Sequence, residues 1–233
     1  MPLTPPSIYV ADHASLARAM RALPRRDLDA SARYTAPRRR AQFLAARALT
    51  HLALERATGC AYGGIDIEIH DDRPRAAARP ELGLSISHSA TLVACALCAT
   101  ACGVDIQRKV DKPLIEIAEA FYTKEEHAAL LSLEAGARAD LFYRWWTLKE
   151  AWIKASGADL LPALARVRVA RASDSATREW RGWSFSPDGD IAGALVMRAR
   201  GAAAQASAYV WTGTAFETAR FACEPVTLAV RDA

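Results

Sequence analysis

The sequence predicts an α+β fold, and three observations carry that assignment. Short alternating stretches such as "SIYVA", "GGIDIEIH" and "LGLSIS" have the two-residue period of half-buried strands. Two long segments, "APRRRAQFLAARALTHLALERATG" and "KPLIEIAEAFYTKEEHAALLSLEAGARADLFYRWWTLKEAWIKASG", have helical spacing instead. Strands also follow one another through short polar turns, which favours antiparallel pairing over a βαβ array.

Taken in order, "SIYVA" predicts a short strand, and "HASLARAMRAL" a helix stopped by Pro24. The next helix has Pro37 in its first turn, an apolar side of Phe43, Leu44, Ala48, Leu49 and Leu52, and Gly59 at its end. "GGIDIEIHDDRP" reads as a strand that breaks into a loop, and "LGLSISHSATLVACALCA" as strand, polar turn and strand. "GVDIQ" is a further short strand. The helical run after it pauses near Thr123, where Glu126 completes a capping box, and again near Gly136. From about Val167 the chain turns β-rich through "RVRVA", "WRGWSFS", "ASAYVW" and "TLAV", with a turn at "SPDGD".

The 233 residues are 52% hydrophobic and 24% charged, which is ordinary globular composition, and no apolar run approaches the ~20 residues of a membrane span. "MPLTPPSIYVADHASLARAM" lacks the charged-then-apolar pattern of an export signal, so a cytoplasmic protein is expected. A net charge of +4 favours an acidic or phosphorylated partner but is too small to indicate nucleic acid. The five cysteines are an odd number, which fits a reducing compartment. Cys95, Cys98 and Cys102 cluster in an alternating apolar strand, where cysteine acts as a small apolar residue.

Three polar clusters carry the chemistry. "LSISHS" places His88 in a small-residue turn. "GVDIQ" sets Asp105 and Gln107 two apart on one side of a strand, where two side-chain oxygens can hold a hard cation such as Mg²⁺. "RWWTLKEAWIKASG" puts Glu150 one helical turn before Lys154, an acid and a point charge for phosphate. Singly, each also fits a plain structural role: a core histidine, a solvated strand end, an exposed helical ion pair. Together they describe a site for a polyphosphate with its metal. The chain has no "GxxxxGK[ST]", "GxGxxG" or "GxSxG", so such a site must grip phosphate with side chains.

The order and spacing of "SISHS", "GVDIQ", "FYTKEEHAAL" and "WWTLKEAWIKASG" resemble the 4′-phosphopantetheinyl transferases, in the larger monomeric, surfactin-synthetase-activating type. The likeness runs from about Pro24 to Gly157. It implies two similar α+β halves related by a pseudo-twofold axis, 1–103 and 104–233, with coenzyme A bound at the joint. It implies transfer of the phosphopantetheine arm of coenzyme A to a serine of an apo acyl or peptidyl carrier protein, releasing adenosine 3′,5′-bisphosphate. An inactive module that only grips coenzyme A or a carrier is the alternative, and it has no need of the acids.

The resemblance also distributes roles. Asp105, Gln107 and Glu150 fall at the magnesium positions, although the family's usual glutamate is here Gln107, a weaker ligand. Glu150 is the candidate base for the serine, and Lys154 and His88 match groups that hold the pyrophosphate. Ser87 borders phosphate, Arg73 falls near the adenine nucleotide, and Arg26, Arg40 and Gln42 lie around the 3′-phosphate. Glu126 is open between a helix cap and an anchor for Lys149 or the metal shell.

Overall fold

The computed structural model describes residues 5–159, 164, 167–169, 179–199 and 205–230. Its α+β elements are, in order, β1 (Ser7–Asp12), α1 (Ala17–Arg21), α2 (Arg25–Ser31), α3 (Pro37–Thr58), β2 (Ile67–His70), β3 (Arg73–Ala76), β4 (Gly83–Ser89), β5 (Leu92–Cys98) and β6 (Cys102–Arg108). There follow α4 (Leu114–Phe121), α5 (Lys124–Leu131), α6 (Ala135–Ser156), β7 (Val167–Val169), β8 (Trp180–Asp188), β9 (Ile191–Arg198), β10 (Ser207–Trp211), β11 (Phe216–Thr218) and β12 (Glu224–Val230).

These elements form two compact units, Met1–Ala101 with Ala204–Arg220, and Cys102–Ala203 with Phe221–Ala233. The expected halves 1–103 and 104–233 differ from this in two respects: the division falls between Ala101 and Cys102, and the chain returns to the first unit through β10 and β11. The reason for that return is strand pairing, since Ser7–Val10 of β1 lies in parallel register with Ser207–Val210 of β10.

In the first unit the sheet order is β11-β10-β1-β5-β4. The 22-residue α3 packs on it through Ala45, Ala48, Leu49, Leu52 and Ala53, all buried with Val93, Cys95 and Leu97 of β5. Pro37 occupies the first turn of α3, and Gly59 closes it in the left-handed region at φ 74°, as the sequence indicates. The "HASLARAMRAL" run yields only the short α1. "DDRP" is not a loop: Asp71 and Asp72, at φ 48° and 59°, make a tight turn that pairs β2 with β3. Asp tolerates that conformation, and Pro74 is acceptable because a two-stranded ribbon has only edges.

In the second unit the sheet order is β6-β9-β8-β12-β7. "IAGALVMR", with no separate signal in the sequence reading, is β9, the strand hydrogen-bonded to both β6 and β8. Its first six residues are all buried, so the two-residue alternation that marks half-buried strands is missing. The 22-residue α6 lies across the sheet with Leu148, Ala151, Trp152 and Ala155 in one core with Ala194, Val196 and Leu228. Gly136 lies inside α6, so the second pause falls just before it, at Leu133–Glu134.

Candidate functional site

In β6 the residues Gly103, Asp105 and Gln107 share one face by strand alternation, while Val104 and Ile106 point into the core on the other. The Gly103 face is covered by α6. A Cβ at Gly103 would stand 1.9 Å from the Ala151 carbonyl oxygen and 2.8 Å from both the Ala155 nitrogen and the Lys154 Cβ. Only glycine admits so close an approach of helix to strand, and a glycine inside a strand pattern is the sequence signal for it.

That approach brings the acid and amine groups together. Lys154 Nζ donates to Asp105 Oδ1 at 2.7 Å and to the Val104 carbonyl at 3.1 Å. Glu150 lies one turn earlier on the same helix. Burial pushes its carboxyl above the ordinary glutamate value, the Asp105 carboxylate pushes it further, and Lys154 pulls it back. Lys154 is thus bonded to Asp105, and the Glu150 carboxyl feels both the Asp105 carboxylate and the Lys154 ammonium.

A hard divalent cation fits this donor set. Mg²⁺ takes one or two carboxylates and keeps several waters, and here burial and the Asp105 carboxylate both raise the proton affinity of Glu150. Among the described residues no three His, Cys, Asp or Glu side chains converge as a ready-made metal cage. The third oxygen available on the strand face is the Gln107 amide, whose nitrogen donates to the Arg108 carbonyl at 3.3 Å.

The rotation of α6 is fixed by the residue beside Glu150. Lys149 is fully buried, and its ammonium meets Glu126 Oε2 at 2.9 Å and donates to the carbonyls of Leu164 and Val167. Tyr122 lies beneath it at 4.9 Å from the ring centroid. Burial draws the Lys149 pKa down, and Glu126 opposes that shift. Glu126 Oε2 also accepts from the Thr123 backbone N–H at 3.0 Å, closing the capping box of α5. Glu126 is thus both cap and anchor of Lys149. On the flanks, Trp152 packs edge-on to Trp180 and Trp145 edge-on to Tyr122.

The expected residues of the first unit are spread over several elements. Ser87 and His88 lie within β4, paired with Ala94 and Val93 of β5, rather than in the turn after it. Ser87 is buried and His88 exposed. The turn itself comes at Ala90, with φ 53°. Arg26, on α2, pairs with Asp66 at 2.5 Å and donates to the Gly63 carbonyl. Arg40 donates to Ser31 Oγ at 3.1 Å, Gln42 is buried in α3, and Arg73 opens β3. A buried pair with no signal in the sequence, His51 with Asp27 at 2.8 Å, ties α2 to α3 and has Arg47 beside it.

Residues 101–196 match the model of the 4′-phosphopantetheinyl transferase superfamily. Over this segment the chain is similar to that superfamily. The 4′-phosphopantetheinyl transferase Sfp of Bacillus subtilis strain 168 is 38% identical over 82 residues, 35% of this chain and 36% of that protein. A second 4′-phosphopantetheinyl transferase of Bacillus subtilis is 31% identical over 113 residues, 48% of this chain and 50% of the relative. The 4′-phosphopantetheinyl transferase HetI of Nostoc sp. is 30% identical over 144 residues, 59% of this chain and 60% of its own. The chain thus spans between about a third and three-fifths of the length of these relatives. The superfamily segment includes Asp105, Gln107, Glu126, Lys149, Glu150 and Lys154, and stops short of Arg26, Arg40, Gln42, Arg73, Ser87 and His88. No described helix is long and apolar enough to cross a membrane.

Proposed function

We propose that the chain is a Mg²⁺-dependent 4′-phosphopantetheinyl transferase that acts as a monomer. It moves the phosphopantetheine arm of coenzyme A onto a serine hydroxyl of an apo acyl or peptidyl carrier protein. The observation that carries this reading is the Asp105–Lys154–Glu150 cluster, built by β6 and α6 inside the superfamily segment. An inactive binding module has no need of the two acids, Asp105 and Glu150.

The chemistry follows from the groups. A serine hydroxyl is a poor nucleophile near neutral pH and needs a base within hydrogen-bond reach. Glu150, on α6 one turn before Lys154, is the base that takes that proton, directly or through water. The serine oxygen bonds to the phosphorus of the pantetheine phosphate, the bridging P–O bond breaks, and adenosine 3′,5′-bisphosphate leaves with the electron pair. Asp105 and Glu150, with Gln107 as a third oxygen, would hold the magnesium ion. That ion supplies charge stabilisation for the phosphates. Lys154 adds a point charge beside the diphosphate. His88 and Ser87 hold the pyrophosphate, Arg73 borders the adenine nucleotide, and Arg26, Arg40 and Gln42 grip the 3′-phosphate; these assignments rest on the family resemblance.

The test is incubation with coenzyme A, Mg²⁺ and a panel of apo-carriers from fatty-acid, polyketide and nonribosomal-peptide systems. Intact-mass spectrometry reads the added arm. A carrier gaining that mass, with adenosine 3′,5′-bisphosphate formed in equal amount, supports the proposal. Unmodified carriers throughout would overturn it.

A further inference from the structure

We infer that Lys154 is the resident counter-cation of Asp105, displaced when a divalent metal enters, so that metal binding releases the ammonium toward an anionic ligand. The inference rests on the assignment of Asp105 and Glu150 as the metal carboxylates, and it adds an order of events to that assignment. Lys154 Nζ makes two hydrogen bonds, both to β6: Asp105 Oδ1 at 2.7 Å and the Val104 carbonyl at 3.1 Å. While that pair stands, two of the three N–H donors of Lys154 are taken and its charge is offset by Asp105, so its pull on a phosphate is weakened.

Exposure shows which partner is free to leave. The Asp105 side chain is 10% exposed and that of Lys154 is 32% exposed. The carboxylate is fixed on the strand, whereas the ammonium ends a flexible stem with room to swing. A divalent ion at Asp105 and Glu150 would face a positive charge already seated on one of its ligands. Repulsion between the two cations, together with competition for the same oxygen, favours exchange over coexistence. The freed ammonium has lost its carboxylate and is then open to an anion. Metal and anionic ligand should bind with positive coupling, because the first removes the ion pair that holds back the second.

Lys149 provides the contrast within the same helix. Its ammonium is locked by Glu126 and two backbone carbonyls and has no exposed surface, so it has no freedom to move. The two lysines five residues apart should therefore respond differently to metal.

The experiment uses the whole protein without coenzyme A or carrier. Lysine acylation by an amine-reactive reagent is timed at one fixed pH, in EDTA and in saturating Mg²⁺, and mapped by peptide mass spectrometry. Labelling of Lys154 should rise roughly fivefold with Mg²⁺, the order expected from releasing a partly exposed ion pair. Lys149 should stay protected in both conditions. In Asp105→Asn, Lys154 should label quickly from the start and ignore the metal. A rate at Lys154 that Mg²⁺ leaves unchanged or lowers would overturn the inference. In a second measurement, Mn²⁺ is titrated by electron paramagnetic resonance. Lys154→Gln should bind Mn²⁺ roughly fivefold more tightly than the unmodified protein, since the competitor is gone. Equal or weaker affinity, or no binding by either protein, would also overturn it. Failure of the transferase proposal would be seen separately, as carriers that gain no mass.

Discussion

At the scale of single residues, Glu150 is asked to do two opposed things. Its folded-state pKa is raised by burial and by Asp105, so the folded protein holds that proton more tightly than the unfolded chain does. The associated stability is present at low pH and is lost as pH rises through the raised value, so at neutral pH ionised Glu150 opposes folding. Glu150→Gln keeps the shape and removes the charge. Melted in EDTA, that variant is expected to be more stable by roughly 0.5–2 kcal/mol. Its transfer rate is expected to fall by about 100-fold or more, as for loss of a general base. A variant that melts lower, or that keeps its rate, would contradict this account. Gln107 is the second residue to test. An amide oxygen is a weaker ligand for Mg²⁺ than a carboxylate, so Gln107→Glu is expected to lower the Mg²⁺ concentration for half-maximal activity. An unchanged half-saturation in a magnesium titration would place Gln107 outside the metal shell. These residue types were legible in the sequence because the motif spacing names them. The Lys154–Asp105 bond was not, because nothing in "GVDIQ" or "LKEAWIK" says that the amine of one rests on the acid of the other.

At the scale of elements, the site depends on how closely α6 lies on β6 and how it is rotated. Gly103 sets the distance. In Gly103→Ala the new methyl must push the helix away, at a cost of about 1–3 kcal/mol for overpacking. Chemical denaturation should show that loss, and transfer should fall further than stability does, since Glu150 and Lys154 move with the helix. Lys149 sets the rotation. Lys149→Met leaves Glu126 buried without its cation, and breaking one side of such a pair costs about 3–5 kcal/mol. Adding Glu126→Leu to that variant should recover much of the stability, because the abandoned charge is then gone as well. Urea unfolding of both proteins checks this, and a double variant no better than the single would exclude the ion pair as the cause. The capping box of α5 and the glycine stop of α3 could be read from the sequence, since caps are local chemistry. Strand β9 went unnoticed because a strand buried on both faces has no alternation to read.

At the scale of the whole molecule, the chain path is the feature that local patterns could not reveal. The β-rich composition of "ASAYVW" indicated a strand but said nothing of its partner, which begins about two hundred residues earlier in the sequence. β10 completes the first unit's sheet beside β1. Tyr209 stacks on Tyr9 at 5.4 Å, Phe216 meets Tyr9 edge-on at 5.1 Å, and Trp211 Nε1 donates to the Ser15 carbonyl at 3.1 Å. Arg56 of α3 covers the Tyr209 ring at 4.3 Å. Without β10, β1 becomes an unprotected edge and Tyr9, now 2% exposed, opens to water. A polypeptide of residues 5–101 alone is therefore expected to lack cooperative unfolding and near-ultraviolet dichroism. The same residues joined by a flexible linker to 205–220 should regain both, because the parallel pairing of β1 with β10 needs proximity and not the intervening chain. If residues 5–101 unfold as cooperatively without the returning strands as with them, β10 and β11 are appended to a finished sheet, and the first unit ends at Ala101.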